Sequence, residues 1–153
     1  MVSVLLAPDM AQRAILMVLP MIEKLVTDGV VKRGDLAIVI LDPLEGNILG
    51  QKSLGDEGKW EHDYHRLALH KACLAGRSGL SSRHVAQLEP HRLMVGDTKH
   101  AGGVNFNGIP VGVSGVQSYF DEMIANCVAA AYQALCIEAM VKIHADPSRD
   151  YVE

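Results

Sequence analysis

An uncharged run from Met123 to Ile137 constrains this chain more than any other feature. Apolar residues fill most of it, and Asn126 and Gln133 leave only a narrow polar stripe. A helix this apolar must be buried over most of its surface. We therefore expect a long C-terminal helix that packs on the chain's own sheet on one side and on a neighbouring helix or a second protomer on another.

Two hairpins are predicted to supply that sheet. Just before the helix, Gly103–Phe106 and Ile109–Val113 read as short strands, and the Asn-Gly pair between them is a strong hairpin signal. Further upstream, Leu36–Leu41 is a continuous apolar run suited to a buried strand, and Ile48–Leu54 reads as its return strand. Short links of this kind imply an antiparallel sheet of four to five strands.

Apolar residues at helical spacing predict three further helices. The first begins at Asp9 as its N-cap and stops near Gly29, and Pro20 predicts a kink or break within it. The second runs from about Trp60 to Gly76, and a short third helix covers Arg83–Leu88.

These elements predict one α+β domain, a profilin-like antiparallel sheet with helices packed against it. The domain is expected over residues 1–145, followed by a polar tail over 146–153. Residues 2–6 are either a short strand or a leading segment, and Leu93–Val95 is expected to be a brief strand.

Composition excludes several classes of function. The net charge of -4 and the scarcity of aromatic residues, 5%, argue against a nucleic-acid surface. Three cysteines without a CxxC pair indicate buried free thiols in a reducing compartment. The apolar N-terminus lacks the basic start of a signal peptide, and no uncharged run reaches the roughly 18 residues of a membrane span. We therefore expect a cytoplasmic protein that binds neither nucleic acid nor membrane.

Several segments, in this order, resemble the GlcG/HbpS-like family, which includes haem-binding proteins and a domain attached to some cobalamin adenosyltransferases. The segments are LAIVILDPLEGNILG, LALHKACLAGRSGLSS, AGGV, GVSG and DEMIA. The resemblance covers about residues 9–140. It implies the family's fold, a homo-oligomer, and a small-molecule ligand for which haem or iron is a candidate cofactor. The hairpin over 104–113 is shorter than in the family, which predicts a difference at the rim of the ligand pocket.

Of the histidines, His100, directly before the Ala-Gly-Gly segment, is the first choice for a catalytic or iron-binding residue, because a neutral imidazole accepts a proton near neutral pH or binds iron. Lys71 lies on a predicted apolar face. It either forms a structural ion pair with Asp121 or Glu122 or binds a ligand carboxylate. The two acids are candidates for a general base or a metal ligand, and a helix-terminal charge pair is the simpler alternative.

Gly102, Gly103, Ser114 and Gly115 are predicted ligand contacts, since backbone N–H groups near a helix start can hold an anion such as a carboxylate. Turns and tight sheet packing are the simpler explanation of these glycines. The spacing does not match the GxGxxG dinucleotide fingerprint or the GxSxG motif of serine hydrolases.

Two pairs of residues on the second predicted helix complete the candidates. Trp60 and Tyr64 could form the wall of a planar ligand's site, and core packing is the alternative. His62 and His65 could share a helix face and bind one metal ion, and ordinary surface histidines are the alternative.

Three functions follow from these candidates. The first is a small-molecule-binding protein whose ligand is haem or a small carboxylated metabolite of a catabolic pathway. The second is a small cofactor-independent enzyme, of isomerase, lyase or hydrolase type, that acts on a carboxylated intermediate by acid–base chemistry. The third is a structural or assembly role, which the uncharged helix favours.

Overall fold

A computed structural model of the chain describes residues 8–150. The predicted α+β class and the antiparallel sheet are confirmed, with four strands. Both predicted hairpins form from the expected strands. The main elements are α1 (Pro8–Thr27), β1 (Leu36–Leu41), β2 (Ile48–Leu54), α2 (Tyr64–Ser78), α3 (Ser82–Leu88), β3 (Gly103–Phe106), β4 (Ile109–Ser114) and α4 (Ser118–His144). Single 3₁₀ turns lie at Glu57–Lys59 and Pro90–Arg92.

The sheet has the strand order β2-β1-β4-β3, and every neighbouring pair is antiparallel. Val39 at the centre of β1 pairs with Gln51 on one side and with Gly112 on the other. All six residues of β1 are buried, as expected of a central strand with both faces covered. The second hairpin is therefore inserted beside β1 and places the end of β4 next to the start of β1.

Helices cover both faces of this sheet. Alternate residues of β1 point to opposite faces, and since all of them are apolar, both faces must be buried. Leu36, Ile38 and Ile40 belong to the larger core, which the sheet forms with α1 and α4. Ala37, Val39 and Leu41 face α2 and form a smaller cluster with Tyr64, Ala68 and Ala72. The small residues of the second cluster allow α2 to lie close to the sheet.

Helix α4 packs on the sheet as predicted, but the chain itself covers less of the helix than its sequence predicts. One side packs on the sheet and on α1, and Tyr132 is completely buried there. On the other side Ile137 and Val141 are 57% and 61% exposed. Within residues 8–150, α4 alone has the length and apolar composition of a membrane span, with a third of the relevant window buried in this fold. A second protomer on its exposed side stays a prediction.

The predicted break in the first helix is wrong. Helix α1 runs without interruption through Pro20. Proline has no N–H group, so Pro20 cannot donate the helical hydrogen bond to the carbonyl oxygen of Leu16. Both residues are exposed, so water can donate to that oxygen instead. Asp9 is also not the N-cap, since it lies inside the first turn of a helix that begins at Pro8.

Two other boundaries differ from the prediction. Helix α2 begins at Tyr64 rather than near Trp60, because the Asp63 side chain caps it by accepting a hydrogen bond from the N–H of Arg66 at 3.1 Å. No strand forms over Leu93–Val95, where the backbone makes a turn stabilised by a side-chain carboxylate downstream.

The remaining differences concern the thiols and the termini. Cys73 is exposed, and Cys127 and Cys136 are only half-buried. The expected burial of the thiols is therefore wrong for Cys73 and only partial for the other two, although none of the three forms a disulfide. The strand or leading segment expected over 2–6 and the last three residues of the tail lie outside the described residues.

We predict that Gly112→Ala destabilises the protein by roughly 3 kcal/mol, because overpacking of this kind forces the backbone apart. A Cβ at Gly112 would collide with the carbonyl oxygen of Ala68 in α2. Gly58→Ala is the control, since a Cβ there meets only the end of the Asp56 side chain at 3.3 Å. Urea unfolding of both variants measures the difference, and equal stability of the two would contradict the packing argument.

Candidate functional site

An open pocket of about 350 Å³ lies where the end of β4, the first half of α2 and the start of α4 meet. Except for Tyr64, Leu67 and Val116, its lining side chains are polar or absent. The lining residues are His62, Tyr64, Leu67, Lys71, Thr98, His100, Ser114, Gly115, Val116, Ser118 and Asp121. An open pocket of this size, with both polar groups and apolar surface on its walls, suits a small ligand.

A buried ion pair lies on the wall of this pocket. The ammonium of Lys71 donates to the carboxylate of Asp121 at 3.2 Å and to the carbonyl oxygen of Val113 at 3.0 Å. Both charged side chains are almost fully buried, at 2% and 3% exposed. Of the two partners that the sequence allowed for Lys71, the fold selects Asp121.

Backbone groups hold the carboxylate of Asp121 from its other side. Its Oδ1 accepts a hydrogen bond from the N–H of Val116 at 3.1 Å, and the N–H of Gly115 also donates to this carboxylate. Asp121 lies in the first turn of α4, so the positive end of the helix dipole stabilises its charge as well. The aspartate is thus fixed by the turn that connects β4 to α4.

Burial shifts the pKa values of both partners in the directions that favour their uncharged forms. Desolvation lowers the pKa of Lys71, although the carboxylate of Asp121 opposes the shift. Desolvation likewise raises the pKa of Asp121 to about 6, against the opposing effects of Lys71 and of the Val116 and Gly115 N–H groups. The carboxyl group of Asp121 therefore gains and loses its proton closer to neutral pH than an exposed aspartate does.

Two glycines predicted as ligand contacts make room for this ion pair. Gly102 has a φ of +124°, and a Cβ at this position would lie 2.8 Å from Lys71 Nζ and 3.0 Å from Asp121 Cβ. A Cβ at Gly103 would collide with the backbone of Lys71. Packing explains both glycines, as the simpler alternative predicted. Gly115 and Ser114 do line the pocket, and their contact with a ligand stays a prediction.

His100 lies at the rim of the pocket, where its side chain is exposed. The buried hydroxyl of Ser82 fixes this segment by donating to the His100 carbonyl at 2.9 Å and accepting from the N–H of Gly103 at 3.0 Å. Within residues 8–150 the imidazole itself forms no hydrogen bond or ion pair, so it is available to a ligand.

The acidic pair predicted at the start of α4 is divided by the fold. Glu122 points away from the pocket and forms a two-pronged ion pair with Arg83 of α3, at 2.9 and 3.0 Å for its shortest contacts. Trp60 is also outside the lining, where its indole N–H donates to the Leu54 carbonyl and its ring contacts Tyr64. Tyr64 is 5% exposed and belongs mainly to the small core under α2.

The two histidines proposed for a shared metal ion lie in different places. His62 precedes α2 and lines the Lys71 pocket, whereas His65 lies in the first turn and contacts Gln51 in a separate surface cavity. Their predicted position on one helix face is therefore wrong, because α2 begins after His62. Among residues 8–150 no group of three His, Cys, Asp or Glu side chains is placed to bind a metal ion.

The sequence did not single out Leu67, Thr98, Val116 or Ser118 as site residues. Thr98 lies in a segment without periodicity, and its hydroxyl accepts a hydrogen bond from the N–H of His100 at 3.1 Å. Ser118 begins α4, and this position could have been found as the helix start one turn before Asp121. The other two are ordinary apolar residues whose place in the pocket only the fold reveals.

The sequence matches no family model and no curated protein. Solved structures do match. Klebsiella pneumoniae protein ORFY, described as a DUF336 protein, is similar with a TM-score of 0.60 and 20% identity, over 81% of this chain and 88% of that one. HbpS is similar with a TM-score of 0.58 and 24% identity, over 85% and 89% of the two chains. The Ybr137w protein has a TM-score of 0.53 and 20% identity, over 74% and 73%.

The chain has a GlcG/HbpS-like fold. The fold that the sequence resemblance implied is thus confirmed. The turn of the short hairpin, Asn107-Gly108, is not among the lining residues of this pocket. A difference from the family at the rim of the ligand pocket stays a prediction.

We predict that the titration of Asp121 lowers the free energy of unfolding by about 3 kcal/mol as pH rises from about 4 to about 6. A carboxyl group whose pKa is raised by folding to about 6 binds more protons in the folded state, so its contribution is lost as pH rises. Urea unfolding across this range should show the loss in the wild type relative to Lys71→Met/Asp121→Asn, which lacks both titrating groups.

The control for this measurement is Asp146→Asn. Asp146 is exposed, and its pKa is lowered because Ser148 donates hydrogen bonds to it, so its titration has the opposite sign. If the wild type and the double variant had parallel pH profiles of stability, burial would not raise the pKa of Asp121.

Proposed function

We propose that this protein binds a small carboxylate in the pocket beside Lys71 and Asp121. The supporting observation is a buried ammonium on the wall of an open pocket. Lys71 has three N–H donors and uses two of them on Asp121 and Val113, which leaves one for a ligand. Burial strengthens such a contact, because the low dielectric weakens screening by water.

The start of α4 adds to the preference for an anion. Gly115, Val116 and Ser118 bring the N-terminal end of a 27-residue helix to the pocket, where its dipole is positive. His100 at the rim and the hydroxyl of Ser118 supply further donors. Protonation of Asp121 would leave Lys71 without its internal counter-charge, so a bound carboxylate and a proton on Asp121 favour each other.

A haem macrocycle is broad, flat and largely apolar, whereas this pocket has a volume of about 350 Å³ and the buried charges of Lys71 and Asp121 on its wall. We therefore propose a small catabolic carboxylate rather than haem as the ligand here.

We expect butyrate to bind the wild type, to bind at least about tenfold more weakly to Lys71→Met/Asp121→Asn, and to bind more tightly as pH falls through 6. The double variant removes the buried charges together and keeps the side-chain volumes, so it should remain folded. Chemical-shift titration measures the affinity. Lys142→Gln is the control, since Lys142 is exposed and lies about 35 Å along α4 from the pocket. Unchanged affinity in the double variant would disprove this site.

A second candidate function is acid–base catalysis on the bound carboxylate. A carboxyl group whose pKa is raised to about 6 is suited to proton transfer at neutral pH, and Lys71 and His100 line the same pocket. Asp121→Asn should then abolish turnover of an identified substrate and leave its binding intact. Full turnover in this variant would leave binding as the only function.

We further propose that the protein is a soluble, cytoplasmic homo-oligomer. The exposed apolar side chains of Ile137 and Val141 on α4 support a contact with a second copy. Light scattering should give a smaller particle for Ile137→Lys than for the wild type, and Leu88→Lys, at an exposed site on α3, serves as the control. A monomeric wild type would reject this assembly.

A further inference from the structure

A second cavity adjoins the Lys71 pocket. It has a volume of about 270 Å³ and is lined by Lys32, Arg33, Gly115, Val116 and Gln117. Gly115 and Val116 also line the first pocket, so the same short turn before α4 forms a wall of both. Since two residues of extended chain span only about 7 Å, the two cavities meet along a short edge, within the length of a small molecule.

The two cavities together carry an excess of positive charge. Lys32 and Arg33 line the second cavity and Lys71 lines the first. Within residues 8–150, these three cations are accompanied by two carboxylates, Asp121 on the lining and Glu61 beside Arg33. The chain as a whole has a net charge of -4, so the sign of the charge at these cavities is opposite to that of the whole protein. An anion is therefore attracted to the joint region rather than to the protein in general.

Arg33 is held in place at the second cavity. Its Nη2 lies 2.7 Å from Oε2 of Glu61, which directly precedes His62 on the lining of the first pocket. This ion pair links the loop before β1 to the segment before α2, and both segments border the site. A guanidinium has five N–H donors in a fixed fork, so the contact with Glu61 leaves donors for a ligand carboxylate.

We infer that the two cavities form one site for a short dicarboxylate. One carboxylate lies at Lys71 and the start of α4, and the other lies at Arg33 and Lys32, with the carbon chain passing along Gly115 and Val116. This inference rests on the proposed binding of a carboxylate at Lys71, and it adds the class of ligand. The observation that supports this inference is the position of Lys71 on one cavity and of Lys32 and Arg33 on the other, with the Gly115-Val116 turn between them.

A comparison of butyrate with succinate and glutarate tests the inference, because butyrate and succinate have the same number of carbons and differ by one carboxylate. Chemical-shift titrations at neutral pH and constant ionic strength give the three affinities. We expect the better dicarboxylate to bind about tenfold more tightly than butyrate, as one added charge-assisted contact predicts.

Lys32→Gln/Arg33→Gln should remove this preference, so that the dicarboxylates bind no more tightly than butyrate. Lys142→Gln/Arg149→Gln is the control, since it changes the net charge equally in the last turn of α4 and in the segment after it, and it should keep the preference. Equal affinities for all three acids in the wild type, or a preference that survives in Lys32→Gln/Arg33→Gln, would overturn the dicarboxylate inference while butyrate binding stands. If none of the acids binds, the carboxylate site at Lys71 is rejected as well.

Discussion

The buried ion pair between Lys71 and Asp121 is the contact on which the site depends. It joins α2, on one face of the sheet, to the first turn of α4, which packs on the other face, around the end of β4. Neither charge can be left alone at this depth, because an unpaired buried charge destabilises a protein by several kcal/mol. The pair therefore requires that both helices and the turn over Gly115 and Val116 be in place together.

Close packing of α2 makes this pairing possible. Gly102, Gly103 and Gly112 lie under α2, and side chains at these positions would overlap the helix or the ion pair. The smaller core on this face is built from alanines around Val39 and Leu41 for the same reason. The glycines thus serve the site indirectly, since they bring Lys71 within 3.2 Å of Asp121.

The same arrangement determines what the pocket can recognise. Burial brings the pKa of Asp121 close to neutral pH, so the charge beside Lys71 responds to a bound anion or to a small change in pH. Glu122, the next residue, points to Arg83 and is excluded from this chemistry. His100 completes the site from the rim, because Ser82 fixes its backbone while its ring stays exposed.

Local periodicity and turn chemistry are enough to predict the elements of the fold: both hairpins, the fully apolar β1, the turn at Asn107-Gly108 and the long α4. The sequence also offers Asp121 or Glu122 as an ion-pair partner of Lys71, beside the alternative of a ligand carboxylate. The packing of the helices selects Asp121, since one helical position turns the side chain by about 100°. Packing also separates His62 from His65 and places Lys32 and Arg33 on a cavity that adjoins the pocket. The sequence could not show this, because contacts between distant segments leave no local pattern in it.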